Sequence, residues 1–134
     1  MLRRVGRPLP PAQQESLLAL GAEERYRYAV TQALAAEELW GLRDEEGWAT
    51  VGDEGGAVFL PLWPHAELAA LCATDSWEAY RPEPIRLVEL LAAWLPSLAE
   101  EGWGIAVFPT PAMAGAHVPS DELRADLERA IRGG

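Results

Sequence analysis

The chain of 134 residues has no lysine, no asparagine and a single cysteine, Cys72. Without lysine there can be no P-loop. With one cysteine there can be no internal disulfide. No run of apolar residues is long enough to span a bilayer. Soft metal ligands are equally scarce. His65, His117 and Cys72 are the whole supply, and a structural zinc site usually takes four, so neither a metal nor another cofactor is expected. Patterns of the GxSxG, HExxH, CxxC and dinucleotide-loop types are missing too. Positive charge is in short supply: 11 basic residues stand against 21 acids, for a formal net charge of −10. A phosphate backbone or an anionic membrane surface repels such a chain, so neither nucleic acid nor membrane is an expected partner. A basic protein fits better, and a second copy of the chain, giving a homodimer, is the other candidate.

What remains is an ordinary globular composition, 49% apolar and 24% charged. The length suits one domain, which buries about two-thirds of its unfolded surface. Residues 1–11 read MLRRVGRPLPP, an Arg/Pro-rich extended arm carrying Arg3, Arg4 and Arg7. The arm lacks the apolar stretch and cleavage site of a signal peptide. Together with the missing disulfides, this points to the cytoplasm. Residues 12–134 read as a single α+β domain.

Within that domain a short helix from Ala12 stops at Gly21, and a second begins at Ala22. Tyr26, Ala29, Val30, Ala33 and Leu34 form its inward stripe. The period then changes. Leu39–Arg43, Trp48–Gly52 and Ala57–Trp63 predict an antiparallel three-strand meander. Pro64 opens a helix carrying Leu68, Leu71 and Cys72 inward. A loop with Trp77, Tyr80, Pro82 and Pro84 follows. Leu87, Leu90, Leu91, Trp94, Leu95 and Leu98 then hold helical spacing, with a kink or restart expected at Pro96. Trp103–Phe108 is an apolar fourth strand that extends the sheet into a mixed one. A loop through Gly115 leads to a final helix capped by Ser120. The expected order is ααβββααβα, one sheet covered by helices.

Two groups of residues are candidates for function. If the strands ending at Trp63 and Phe108 run parallel, their ends meet, and ligand crevices form outside such ends. Trp63, Pro64, His65, Thr110 and His117 then line a small pocket for an anion or metabolite. This is the sensor or enzyme reading, although no residue emerges as catalytic. His65 and Cys72 stand seven apart on one helix, about 10 Å along its axis, too far for a nucleophilic pair. The second group belongs to a binding surface. Residues 37–54 hold seven acids and one arginine, and Glu45, Glu46, Asp53 and Glu54 in the turns are suited to steering a basic partner. Trp77, one of six tryptophans, is expected to be an exposed contact residue. In a meander the two acidic turns lie at opposite ends of a strand about 17 Å long, beyond the Debye length of about 8 Å.

The runs Glu24-Arg25-Tyr26, Leu39-Trp40-Gly41-Leu42 and Gly47-Trp48 resemble a bacterial family of unknown function, DUF2750. Leu60-Pro61-Leu62-Trp63-Pro64-His65, followed by Glu67 and Ala69, carries most of the likeness. Leu91–Leu95 and Val107-Phe108-Pro109-Thr110-Pro111 continue it, so that residues 16–131 are covered. The family supplies no activity to transfer. At the level of fold the chain also resembles the N-terminal domain of SseB-like proteins, which implies a protein-interaction module of the kind found near secretion and toxin systems. The expectation from sequence is therefore a non-catalytic interaction module, adaptor-like or immunity-like, with the crevice reading as its alternative.

Overall fold

The computed structural model describes residues 8–133. Arg3, Arg4 and Arg7 of the expected arm lie outside them. The described end of the arm, Pro8 to Pro10, carries no secondary structure, but it is anchored. Leu9 is buried, and its N–H donates to Glu67 Oε2 at 2.9 Å. Proline at the first helical turn then starts α1 (Pro11–Leu18). Gly21 precedes α2 (Ala22–Ala36), whose Ala29 and Ala33 are fully buried. These small residues let α2 approach the sheet closely. Glu37 closes α2 in the left-handed region at φ +61.

Among the described residues six strands follow: β1 (Glu38–Arg43), β2 (Val51–Gly52), β3 (Val58–Leu62), β4 (Arg81–Arg86), β5 (Gly104–Val107) and β6 (Ala116–Pro119). Four of them form a mixed sheet in the order β2-β3-β5-β6, with β3 and β5 parallel at its centre. The other two, β1 and β4, pair antiparallel. A backbone bridge between Trp40 and Trp63 ties β1 to the end of β3. Leu62 C=O accepts from the Phe108 N–H, while the Trp63 N–H donates to Trp40 C=O, both at 2.8 Å. Those two groups of residues 62 and 63 share one peptide plane and point opposite ways. So β5 and β1 lie on opposite edges of β3.

The α+β class and the mixed sheet agree with the sequence reading. Two strands fall where the sequence pattern spells loops. In β4, Pro82 and Pro84 sit at alternate positions, so their missing N–H groups share one side of the strand. The other side faces β1, since the Leu87 N–H, on the parity of Glu83 and Ile85, donates to Glu37 C=O at 2.9 Å. Edge strands tolerate proline in this arrangement. The other missed strand, β6, is four residues long and pairs antiparallel with β5.

The acidic turns are also placed differently. β1 and β2 both run antiparallel to β3. Trp48 and Ala49 pair back onto Arg43 and Leu42, and the chain then reverses before β2. The connections 44–47 and 53–56 therefore share the Val58 end of β3 rather than lying at opposite ends.

Helical cover comes from α3 (Ala66–Leu71) against β1 and β4, and from α6 (Ser120–Gly133) packed with α2 on β5 and β6. Leu68 and Cys72 point inward as expected, but Leu71 is 40% exposed. Between β4 and β5 runs a composite helix: α4 (Leu87–Glu89), a π-helical turn (Leu90–Trp94) and α5 (Leu95–Glu100). The Leu95 N–H bonds Leu90 C=O, five residues back. This wide turn stands just ahead of Pro96, which has no N–H to give, and the α-helix restarts there. The extra residue rotates the stripe. Leu90 and Leu95 are fully buried, while Leu91 and Trp94 are half-buried.

Candidate functional site

The parallel pairing of β3 with β5 brings Trp63 and Phe108 side by side, just past the ends of their strands. Both are apolar and fully buried. Phe108 takes φ +50, which turns the chain sharply into Pro109. The Pro109 carbonyl receives the Trp63 indole N–H at 2.9 Å and the Cys72 thiol at 3.6 Å. Burial pushes the thiol up to about 11, so it stays protonated at neutral pH and is not a nucleophile.

Arg25 reaches the same junction from α2. It is only 5% exposed. Its Nε donates to Phe108 C=O at 3.2 Å, Nη2 to Ala114 C=O at 3.1 Å, and Nη1 to Leu20 C=O. The guanidinium carbon lies 5.8 Å from the centre of the Phe108 ring. Three carbonyls and an aromatic ring thus replace the water that the charge loses. Sequence reasoning missed this role, because the only signal was an arginine one step off the apolar stripe of a helix.

Tyr28, one turn further along α2, meets His65 ahead of α3. The hydroxyl and Nε2 are 2.6 Å apart, and the rings lie 5.8 Å apart at 30°. Burial lowers the His65 pKa, against a smaller opposing effect of Glu67, and burial raises that of Tyr28. Both are neutral at pH 7 and share one hydrogen bond. Pro64 is a buried bend residue, and the helix begins only at Ala66.

The expected crevice does not assemble. His117, on β6, stacks on Phe59 with rings 4.4 Å apart at 27°. Phe59 precedes Trp63 by four residues, ~13 Å along an extended strand, so His65 and His117 belong to different places. Thr110 is a turn residue: its N–H donates to Ala114 C=O, and its Oγ1 accepts from the Ala114 N–H at 3.3 Å. Trp77 is half-buried rather than exposed, with its ring edge-on to Trp63 at 6.4 Å. No tryptophan is among the exposed large apolar residues described.

The acidic turns are well ordered by their own aspartates. Asp44 Oδ1 accepts from the Glu46 and Gly47 N–H groups, and Asp53 Oδ1 from those of Gly55 and Ala57, all between 2.8 and 3.0 Å. Glu45, Glu46, Asp53 and Glu54 are exposed. Beside the first turn lies an open basin of about 600 Å³ lined by Arg43, Glu45, Arg81 and Glu83 among others. Arg43 lies 5.4 Å over the Trp48 ring and 3.9 Å from the Glu83 carboxylate. Among the described residues, no three His, Cys, Asp or Glu side chains are grouped to hold a metal ion, and no helix is long and apolar enough to cross a membrane.

Comparison with known proteins places the chain in a family. The model of a family described as a protein of unknown function, DUF2750, matches residues 26–127. No curated protein and no solved structure matches the chain.

Proposed function

Because the chain belongs to the DUF2750 family, whose function is unknown, we propose a reading from its own geometry: a non-catalytic protein–protein interaction module, adaptor-like or immunity-like, whose acidic end receives a basic partner. The observation that carries this reading is the shared direction of β1 and β2 against β3. It gathers Glu45, Glu46, Asp53 and Glu54 at one end of the sheet. Charges so gathered act as one field on an approaching protein, steering encounter more than holding the complex. The polar groups of the junction at Trp63 and Phe108 are matched to one another, which favours a structural role there over a catalytic one. Only Cys72 is available for disulfide chemistry, and it is buried, which supports a reducing, cytoplasmic setting.

The test is capture of partners from native lysate at low and high salt, followed by binding kinetics with Glu45→Gln, Glu46→Gln and Glu54→Gln combined. Asp53 is left intact because it holds its turn. Association should slow about tenfold or more at low salt, with dissociation little changed. Retention of no protein at low salt, or association indifferent to the three substitutions, overturns the reading.

A further inference from the structure

Three separate segments border an open cleft of about 300 Å³: the approach to β2, the 3₁₀ turn Asp75–Trp77 and the loop that leaves β5. The side chains of interest are Thr50, Thr74, Asp75, Ser76, Trp77 and Met113. We propose that this cleft binds a small organic cation, an alkylammonium or guanidinium head group. It lies apart from the acidic turns and needs no contribution from them.

The lining chemistry selects the ligand. Among the described residues, Asp75 is the one carboxylate that lines the cleft, and no arginine or histidine does. Among the described residues, no ion pair engages Asp75. Thr50, Thr74 and Ser76 add three hydroxyl oxygens able to accept from N–H groups. Trp77 and Met113 supply an aromatic and a thioether wall, both favourable beside an organic cation and its alkyl stem. An anion would be repelled by the Asp75 carboxylate, and a neutral alcohol would leave that carboxylate without a counter-charge.

The cleft is also held in shape before anything binds. Trp77 is braced edge-on by Trp63, whose indole N–H is fixed on Pro109 C=O. The Trp77 N–H donates to Thr74 C=O at 2.9 Å, and the Met113 N–H to Thr110 C=O at 2.7 Å. Asp75 at φ +53 and Met113 at φ +67 are two of the four non-glycine residues with positive φ in the described chain. Both sit on the cleft; the conformation is costly for Met113, whereas aspartate adopts it more readily than most side-chain-bearing residues. Such preorganisation lowers the ordering cost of binding.

The test follows the six indole N–H resonances in a titration of the full chain with n-butylguanidinium or n-butylammonium chloride. The Trp77 signal is assigned through Trp77→Phe. A saturable shift of that signal is expected with at least one cation at millimolar affinity. It should weaken at least tenfold in Asp75→Asn, which tolerates the same positive φ and should melt with the wild-type chain. A blocked arginine tripeptide that binds more tightly than butylguanidinium assigns the head group to a partner's side chain. Equal or weaker peptide binding assigns it to a free small cation. The proposal is overturned if neither cation shifts Trp77, if n-butanol or butyrate shifts it equally, or if Asp75→Asn binds as the wild type does.

Discussion

Trp40 and Trp63 exchange both of their backbone hydrogen bonds, each at 2.8 Å, and this pair joins the β1–β4 ladder to the four-stranded sheet. The indole of Trp63 meanwhile reaches Pro109. One residue therefore couples three parts of the fold, with its main chain bonded on one edge and its side chain closing the loop after β5. Gly41, next to Trp40, belongs to the same arrangement. A Cβ there would lie 2.9 Å from the Trp48 ring, which crosses the strand at that point.

Gly104 should be among the least replaceable residues. A Cβ at this position would lie 2.6 Å from Val118 C=O and 2.9 Å from the Phe59 ring. The first of these is backbone and cannot swing away. Gly104→Ala should cost about 1–3 kcal/mol, the usual range for overpacking. Gly21→Ala, with nothing within 4 Å of the added carbon, should cost less than about 0.5 kcal/mol. Urea denaturation of the two variants checks the contrast.

The π-helical turn makes a distinguishable claim about neighbouring leucines. Leu90 is fully buried and Leu91 only partly so. Leu90→Ala should cost about 2–5 kcal/mol. Leu91→Ala should cost about half as much or less, because its transfer term is smaller and solvent can fill the space. Equal losses in chemical denaturation would mean that an unbroken α-helical register persists through Pro96.

Arg25 should resist even its conservative replacement. Its planar fork serves three carbonyls that diverge in space, and a lysine ammonium cannot reach all three. Arg25→Lys should lower stability by about 2–4 kcal/mol, since hydrogen bonds to a charged donor are worth about 1.5–3 kcal/mol and unpaired carbonyls add their own cost. Thermal melting at neutral pH is the measurement.

His65 gives the stability a defined pH dependence. Burial lowers its folded pKa below the ordinary 6.5, so the unfolded chain takes up the proton first as pH falls. The contribution is complete above 6.5 and is lost as pH drops from there toward the folded value. Tyr28 acts at the other extreme. Its folded pKa is raised above 10, so its contribution is complete below 10 and is lost as pH rises past that point. His65→Gln should therefore flatten the melting temperature between pH 7 and pH 5 relative to wild type, and Tyr28→Phe should do so above pH 10. Parallel curves for wild type and His65→Gln would remove the assignment.

What the sequence makes legible is local. The α2 stripe, the apolar runs of β3 and β5 and the restart at Pro96 rest on spacings within a few residues, and the structure bears each of them out. The sequence leaves the parallel ends of β3 and β5 as a condition, because direction depends on what lies between. The residues that escaped depend on distant partners. Pro82 and Pro84 spell a loop until β1 is known to cover the opposite side of β4. Arg25 looks like a surface residue until the carbonyls of Phe108 and Ala114 are brought to it. Likewise, the two histidines were grouped by the chain ends near them, whereas Tyr28 and Phe59, each on another element, decide where their rings go.

The reach of Arg25 also bears on how the protein is made. Its bonds to Phe108 and Ala114 cross 83 and 89 residues, and β1 waits for β4, with Glu38 opposite Arg86. Pairings so remote in sequence slow the search for the native state. During synthesis, α2 and the first three strands leave the ribosome well before the carbonyls and the strand that complete them. The junction at Trp63 can close only after the loop beyond β5 has emerged. Stalled or truncated chains ending ahead of Pro109 should therefore expose the Arg25 charge and the Trp63 indole together, a signature by which quality control could distinguish an unfinished molecule from a finished one.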